Sequence, residues 1–192
     1  MSAPFTQNSG HALEVSLLTE AYDTFVAELH PQTRFDEAYY IALHRRTFET
    51  LYDWAGRYRN EDMVKGGSMF CRAAYLAAES RRIFGQLQQA CFLSEAAASE
   101  EEFAERLAYF QGELIALHPF YELNGRITRL FFDLLAIQHG YAPIDYSQAW
   151  QDDVEMGNLY IRASVDCVQR ADHRLLTQLV LAGLTRWQDH GA

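Results

Sequence analysis

The sequence predicts an all-α fold, a helical bundle interrupted by one short β-hairpin flap. Three observations lead there. Apolar residues recur at helical spacing along most of the 192 residues. The one stretch that breaks the period, 57–71, holds the turn dipeptide Gly66-Gly67 between Met63, Val64, Met69 and Phe70. Only 4 Pro and 11 Gly occur, with no linker-like run and no internal repeat, so residues 1–192 read as a single domain. A chain that is 49% hydrophobic has the material for a full core, which excludes a disordered or low-complexity protein.

Residues 11–29 carry Leu13, Leu17, Leu18, Tyr22, Phe25, Val26 and Leu29 on one helical stripe. His30-Pro31 ends it, because a residue before proline avoids the α region. A second helix is expected over about 35–54, with Phe35, Tyr39, Leu43, Phe48, Leu51 and Tyr52, and Gly56 follows it. The flap, about 61–71, comes next, then a long helix over about 72–92. Ser99 with Glu102 makes a capping box. The helix it opens carries Phe103, Leu107, Phe110, Leu114 and Leu117, the most regular apolar spacing in the chain, and it must stop at His118-Pro119. Another helix is predicted from near Asn124 to about His139, with Ile127, Leu130, Phe131, Leu134 and Leu135 inward and Gly140 at its C-terminal turn. Two more are predicted, about 147–170 from Ser147 and about 173–189 from Asp172.

Charge and cysteine usage narrow the function classes. Sixteen basic residues face 26 acidic ones, a net of −10, so a global basic footprint for nucleic acid or an anionic membrane is absent. The three cysteines, Cys71, Cys91 and Cys167, form no CxxC pair, which suits a reducing compartment and speaks against a disulfide frame or structural zinc. The first ten residues show neither a basic region nor an apolar one, and no apolar run approaches the roughly 20 residues of a membrane span. A soluble, cytoplasmic protein with neither nucleic-acid nor membrane partners is expected.

The chemistry concentrates in residues 118–129, His-Pro-Phe-Tyr-Glu-Leu-Asn-Gly-Arg-Ile-Thr-Arg. Arg126 and Arg129 occupy the first turns of a helix, where the macrodipole disfavours cations by about 0.3–1 kcal/mol each. They share a face at i, i+3. With the free N–H groups of the helix start they make an anion hole suited to several phosphates. Glu122 just ahead of the helix suits Mg²⁺, which takes one or two carboxylates beside phosphates. His118 on the preceding loop suits a general base near neutral pH. Asn124 is placed to cap the helix and to donate an amide N–H to a phosphoryl oxygen. Singly, each feature has a plain structural explanation: a histidine caps a helix end, a lone glutamate is solvated, an arginine pair sits on the surface. Their joint order, with both arginines at the wrong end of the dipole, points to a nucleotide-phosphate site. His173 and His190 read as surface residues, His44 as structural, and Trp54 as core.

The segment resembles the Fic motif, HPFx(D/E)GNGRxxR. Upstream, Leu43-His44-Arg45-Arg46 with Phe48, Leu51-Tyr52-Asp53-Trp54-Ala55-Gly56 and Arg59 resemble the family's helix entering its flap, and Lys65-Gly66-Gly67-Ser68-Met69-Phe70 resembles the flap itself. The resemblance covers about residues 40–140. It implies a Fic-type fold and protein adenylyltransferase activity: transfer of AMP from Mg-ATP to a Ser, Thr or Tyr hydroxyl of a target protein. His118 would be the base, Glu122 the Mg²⁺ ligand, and Asn124 and Gly125 the α-phosphate contacts. Arg126 and Arg129 would hold the β- and γ-phosphates, and Lys65, Gly66, Gly67, Ser68, Met69 and Phe70 would dock the target.

One position departs from the pattern: Leu123 stands where the motif has its first glycine. If that position needs a positive φ, leucine is strained by about 1–2 kcal/mol. This opens a second reading, a nucleotide-binding regulatory protein weakened at Leu123. A third is transfer of another nucleotide or a phosphoryl group on the same scaffold. Gly125 argues against the phosphoryl version, because the related Doc kinases carry lysine there. The family's inhibitory pattern, (S/T)xxxE(G/N), is matched only loosely by Ser16 to Ala21, with Glu20 as its acid. A separate antitoxin supplying the inhibitory glutamate fits better, which would make the chain the toxin of a toxin–antitoxin pair.

Overall fold

A computed structural model of the chain describes residues 7–93, 99–153 and 157–187. Its helices are α1 (Gln7–Ala27), α2 (Glu37–Phe48), α3 (Leu76–Gln89), α4 (Glu100–Leu117), α5 (Asn124–Gln138), α6 (Leu159–Arg170) and α7 (Arg174–Gly183). Two small hairpins interrupt them, β1 (Val64–Lys65) with β2 (Ser68–Met69), and β3 (Asp152–Asp153) with β4 (Gly157–Asn158).

Helix α4 is the axis. Ser99 caps it by accepting a 3.2 Å bond from the Glu102 amide, as the capping box predicts. Its regular apolar spacing buries Phe103, Leu107, Phe110, Leu114 and Leu117. The helix packs against α3, α5, α6 and α7. Helix α5 buries the five residues expected of it, and Phe132 besides. Gly140 follows α5 with φ +80°. Beneath the 118–123 loop lies an aromatic core. The Tyr40 ring meets Phe84, Phe120 and Phe131 at centroid distances of 5.4–5.6 Å, and its hydroxyl bonds Thr128 at 2.9 Å.

The flap forms as predicted. Val64 pairs with Met69 and Lys65 with Ser68 across an antiparallel two-residue turn. Gly66 and Gly67 both have positive φ, +55° and +78°, which a twisted two-residue hairpin requires and side-chain-bearing residues resist.

Several boundaries differ from the sequence expectation. Helix α2 ends at Phe48, six residues early, and Gly56 at φ +74° then brings the chain back against it. A Cβ on Gly56 would lie 2.6 Å from that of Arg45. Helix α3 starts at Leu76, after a 3-10 turn at Ala73–Tyr75. Ser147 opens only a 3-10 turn, Ser147–Trp150; the helix starts at Leu159, where the Asn158 side chain accepts the Ile161 amide. Helix α7 stops at Gly183, whose missing Cβ admits the Asp145 carbonyl. The chain then runs beside residues 140–142, bridging Tyr141 with Arg186. The rest of the predicted last helix, and His190, lie outside the described residues. Among the described side chains of α1 only Phe25 is fully buried, and Leu13 is exposed.

Candidate active site

The site is built where α4 ends and α5 begins. His118 ends α4 in the left-handed region, φ 47° and ψ 57°, with its N–H bonded to the Leu114 carbonyl. That turn swings the imidazole under the flap, where it stacks on Phe70 with centroids 3.7 Å apart and planes 14° from parallel. Burial lowers the His118 pKa to about 4; a hydrogen bond with the Ile115 carbonyl opposes the shift, and the nearby charges of Arg59 and Lys65 add to it. The sequence alone suggested an ordinary histidine near neutrality. The folded ring is instead neutral throughout the physiological range, with a free nitrogen ready to accept a proton.

Arg59 holds this turn. It is buried, and no carboxylate forms an ion pair with it among the described residues. Its Nε donates to the His118 carbonyl at 2.9 Å, its Nη1 to the Glu61 carbonyl at 2.6 Å, and its Nη2 to the Cys71 carbonyl. Its own amide bonds the Pro119 carbonyl. One guanidinium therefore joins both ends of the flap to the histidine turn.

The 118–123 loop is anchored by Phe120, which is fully buried. The buried Asn124 side chain closes it, accepting from the Phe120 amide and donating to the Phe120 carbonyl, both at 2.8 Å. This corrects the expectation that Asn124 caps α5. Leu123 is the N-cap residue, and it makes no side-chain cap bond. The first bond of α5 runs from the Ile127 amide to the Leu123 carbonyl, so helix geometry leaves the amides of Asn124, Gly125 and Arg126 without intrahelical partners. Leu123 itself has φ 67° and ψ 11°, so the position does need the conformation that glycine adopts most easily. Gly125 has an ordinary helical backbone, and a Cβ there would stand 3.6 Å from Arg129 Nη1.

Glu122 is exposed, and its backbone is pinned by His44. His44 Nε2 donates to the Glu122 carbonyl at 3.2 Å while its Nδ1 accepts the Gly56 amide at 3.0 Å. The ring stacks on Phe120 at 3.9 Å, and burial lowers its pKa to about 4. His44 is structural, as expected, yet it supports the loop that carries the candidate metal ligand.

The two arginines are held differently. Arg126 bonds Glu14 Oε2 at 2.9 Å and His11 Nδ1 at 3.0 Å, both from α1. Tyr52 donates to the other Glu14 oxygen at 2.6 Å. Arg129 lies against Trp150 and Tyr160. The Ser16–Glu20 pair, the loose inhibitory match, bonds itself at 3.3 Å, and Glu20 faces a groove between α1 and α2 with Arg46 and Thr47.

In the flap, Ser68 is buried and accepts from Gln169 of α6 at 3.1 Å. Lys65, Gly66 and Gly67 are exposed at the tip, and Val64 and Met69 expose apolar side chains side by side. Arg59 entered the sequence reading only through the resemblance. Tyr52 entered it only as a position of the second helix and through the resemblance, and Glu14, Trp150 and Tyr160 were not singled out, since nothing local marks a glutamate or an aromatic residue whose partner is far along the chain.

Residues 34–136 match the Fic/DOC family model. The chain is 37% identical over 120 residues to the probable protein adenylyltransferase y4lH of Sinorhizobium fredii, covering 62% of each protein. It is 37% identical over 101 residues to the probable protein adenylyltransferase Fic of Salmonella typhimurium, covering 53% of this chain and 50% of that one. The chain thus spans about half to three fifths of the length of these relatives. In three dimensions it resembles the Bartonella tribocorum BepC protein crystallised with AMPPNP, with a TM-score of 0.80 at 22% identity, covering 94% of this chain and 89% of that one. Since the family model spans more than half of the sequence and the fold matches, the chain belongs to the Fic/DOC family.

Proposed function

We propose that this chain transfers AMP from Mg-ATP to a hydroxyl group of a protein. The observation that carries this is the joining of a neutral, flap-covered His118 to the open N-terminus of α5 with its two arginines. The names of the relatives and the AMPPNP bound in BepC support it.

In this reading His118 takes the proton of the target hydroxyl through its free nitrogen. The hydroxyl oxygen attacks the α-phosphorus, the bond to the β-phosphate oxygen breaks, and pyrophosphate leaves. The open amides of α5 and the arginines meet the phosphate oxygens and oppose the charge that develops there. Asn124 shapes the cradle through the Phe120 peptide. The donor set suits Mg²⁺ that arrives with the nucleotide. Glu122 offers one exposed carboxylate, and no cluster of three or more His, Cys, Asp or Glu that could hold a metal occurs among the described residues. When bound, Mg²⁺ supplies charge neutralisation on the phosphates. The flap, Lys65 to Phe70, gives the target backbone an edge to pair with.

Among the described residues no side chain forms an ion pair with Arg129, which leaves that arginine open to a carboxylate supplied in trans. In the toxin–antitoxin reading a separate antitoxin would supply that carboxylate. No helix among the described residues is long and apolar enough to cross a membrane.

The test is incubation of the protein in a lysate with Mg²⁺ and ATP labelled at either the α- or the γ-phosphate. Protein-bound label from the α position alone is expected. Label from the γ position alone would make the chain a kinase and overturn the reading.

A further inference from the structure

Among the described residues Arg129 makes no ion pair, although it lies within the first two turns of α5, the helix whose N-terminus forms the site. Asp133, one turn along α5, directs its Oδ1 to the Ile144 amide at 3.0 Å. Arg129 interacts electrostatically with Asp133 and bonds the Tyr160 hydroxyl, and its closest ring contacts are aromatic faces. Its guanidinium carbon lies 4.9 Å from the Trp150 ring centre and 5.2 Å from that of Tyr160. The two rings are themselves stacked at 4.9 Å and 26°.

The two rings differ in how firmly they are fixed. Tyr160 is buried, and its hydroxyl accepts from Gln111 Nε2 at 3.0 Å. Gln111 Oε1 in turn accepts the Tyr146 hydroxyl at 2.8 Å. This buried chain ties Tyr160 to α4. Trp150 comes from the 3-10 turn after α5, is 40% exposed, and forms the outer wall. A carboxylate in this place would neutralise Arg129 and compete with any incoming phosphate. An aromatic face restrains a cation while leaving its charge in place.

We propose that Trp150 and Tyr160 are positioning residues that hold Arg129 as an unpaired cation for the terminal phosphate of the nucleotide, and so set the preference for a triphosphate over a diphosphate. The inference rests on the function proposed above. Tyr160 fixes the depth of the guanidinium and Trp150 its orientation. Arg126, already shared with Glu14, contributes less to that discrimination.

The test is equilibrium binding of Mg-ATP and Mg-ADP to the full chain, by calorimetry, for wild type, Trp150→Ala, Trp150→Phe and Arg129→Ala. Thermal unfolding of each variant is measured alongside. Trp150→Ala is expected to weaken ATP binding about five- to tenfold, the size of a partly desolvated cation–π contact, and to leave ADP within about twofold. Trp150→Phe should restore most of the ATP preference, and Arg129→Ala should abolish it. A variant damaged only in its fold would weaken both nucleotides alike, and that outcome, or no change in either, would overturn the positioning role. If Arg129→Ala leaves the ATP-to-ADP ratio unchanged, the terminal-phosphate reading fails and the inference falls with it.

Discussion

Leu123 shows how one residue is tolerated in a place that favours glycine. Its φ of 67° carries a steric cost of about 1–2 kcal/mol. Its side chain packs on the core and recovers part of that. Leu123→Gly relieves the strain but loses the contact and loosens the unfolded chain, which costs about 0.4–1 kcal/mol. We expect unfolding by urea to shift by no more than about 1 kcal/mol in either direction. Transfer should stay within a few fold of wild type, because the backbone already adopts the conformation that glycine would give. A large gain in transfer would mean that the leucine side chain crowds the phosphates. His44 and His118 carry a second residue-scale consequence. Folding lowers both pKa values from 6.5 to about 4 by burial. Above pH 6.5 both rings are neutral folded or unfolded. As pH falls from 6.5 toward 4, the unfolded chain binds protons that the folded chain does not. Stability is therefore lost on acidification, by up to about 1.4 kcal/mol per pH unit for each ring. Urea midpoints measured between pH 7 and pH 4.5 test this. Buried Asp133, its pKa pushed up to about 7, contributes with the opposite sign over the same window, so the series is run in an Asp133→Asn background, where a midpoint that holds steady would contradict the burial of the two rings.

At the scale of elements, the flap and the histidine turn act together. Phe70 covers His118, and Arg59 ties the flap's ends to the carbonyl of the same histidine. Phe70→Ala uncovers the ring, so the His118 pKa should rise from about 4 toward 6.5, as followed by NMR of the imidazole protons. An unmoved titration would show that the α4–α5 loop alone buries the ring. How much of this was legible in the sequence follows from range. The starts of α4 and α5 were readable because their signals, Ser99 with Glu102 and the break at His118-Pro119, are local. The flap turn was readable because Gly66-Gly67 specifies its own backbone. The start of α6 was not, because Ser147 and Asn158 both look like caps and only packing chooses between them. Asn124 was assigned to the helix cap from its position, whereas Phe120 draws its side chain into the loop. The Glu14–Arg126 pair spans 112 positions, and no periodicity reports such a contact.

At the scale of the whole molecule, α4 carries both the site and the packing. Its C-terminus delivers His118, and its middle receives α6 and α7 through Gly112. A Cβ on Gly112 would come within 2.3 Å of His173 Cδ2 and 2.9 Å of Cys167 Sγ. Gly112→Ala should therefore destabilise the protein by about 1–3 kcal/mol, by overpacking, while transfer per folded molecule stays unchanged. Loss of transfer with full stability would mean that the α4–α7 contact reaches the site directly. The −10 net charge belongs to this scale too. At long range the protein repels free ATP, so attraction has to come from Arg126, Arg129 and the helix terminus close at hand.

The central claim is that His118 is the base of a nucleotidyl transfer made at the α5 terminus. Its most direct test compares wild type with His118→Ala in two readings, ATP affinity and the rate at which α-label reaches protein. The variant should bind ATP within about twofold of wild type and lose transfer by at least the roughly 100-fold that a general base supplies. Transfer at the wild-type rate by His118→Ala would contradict the account.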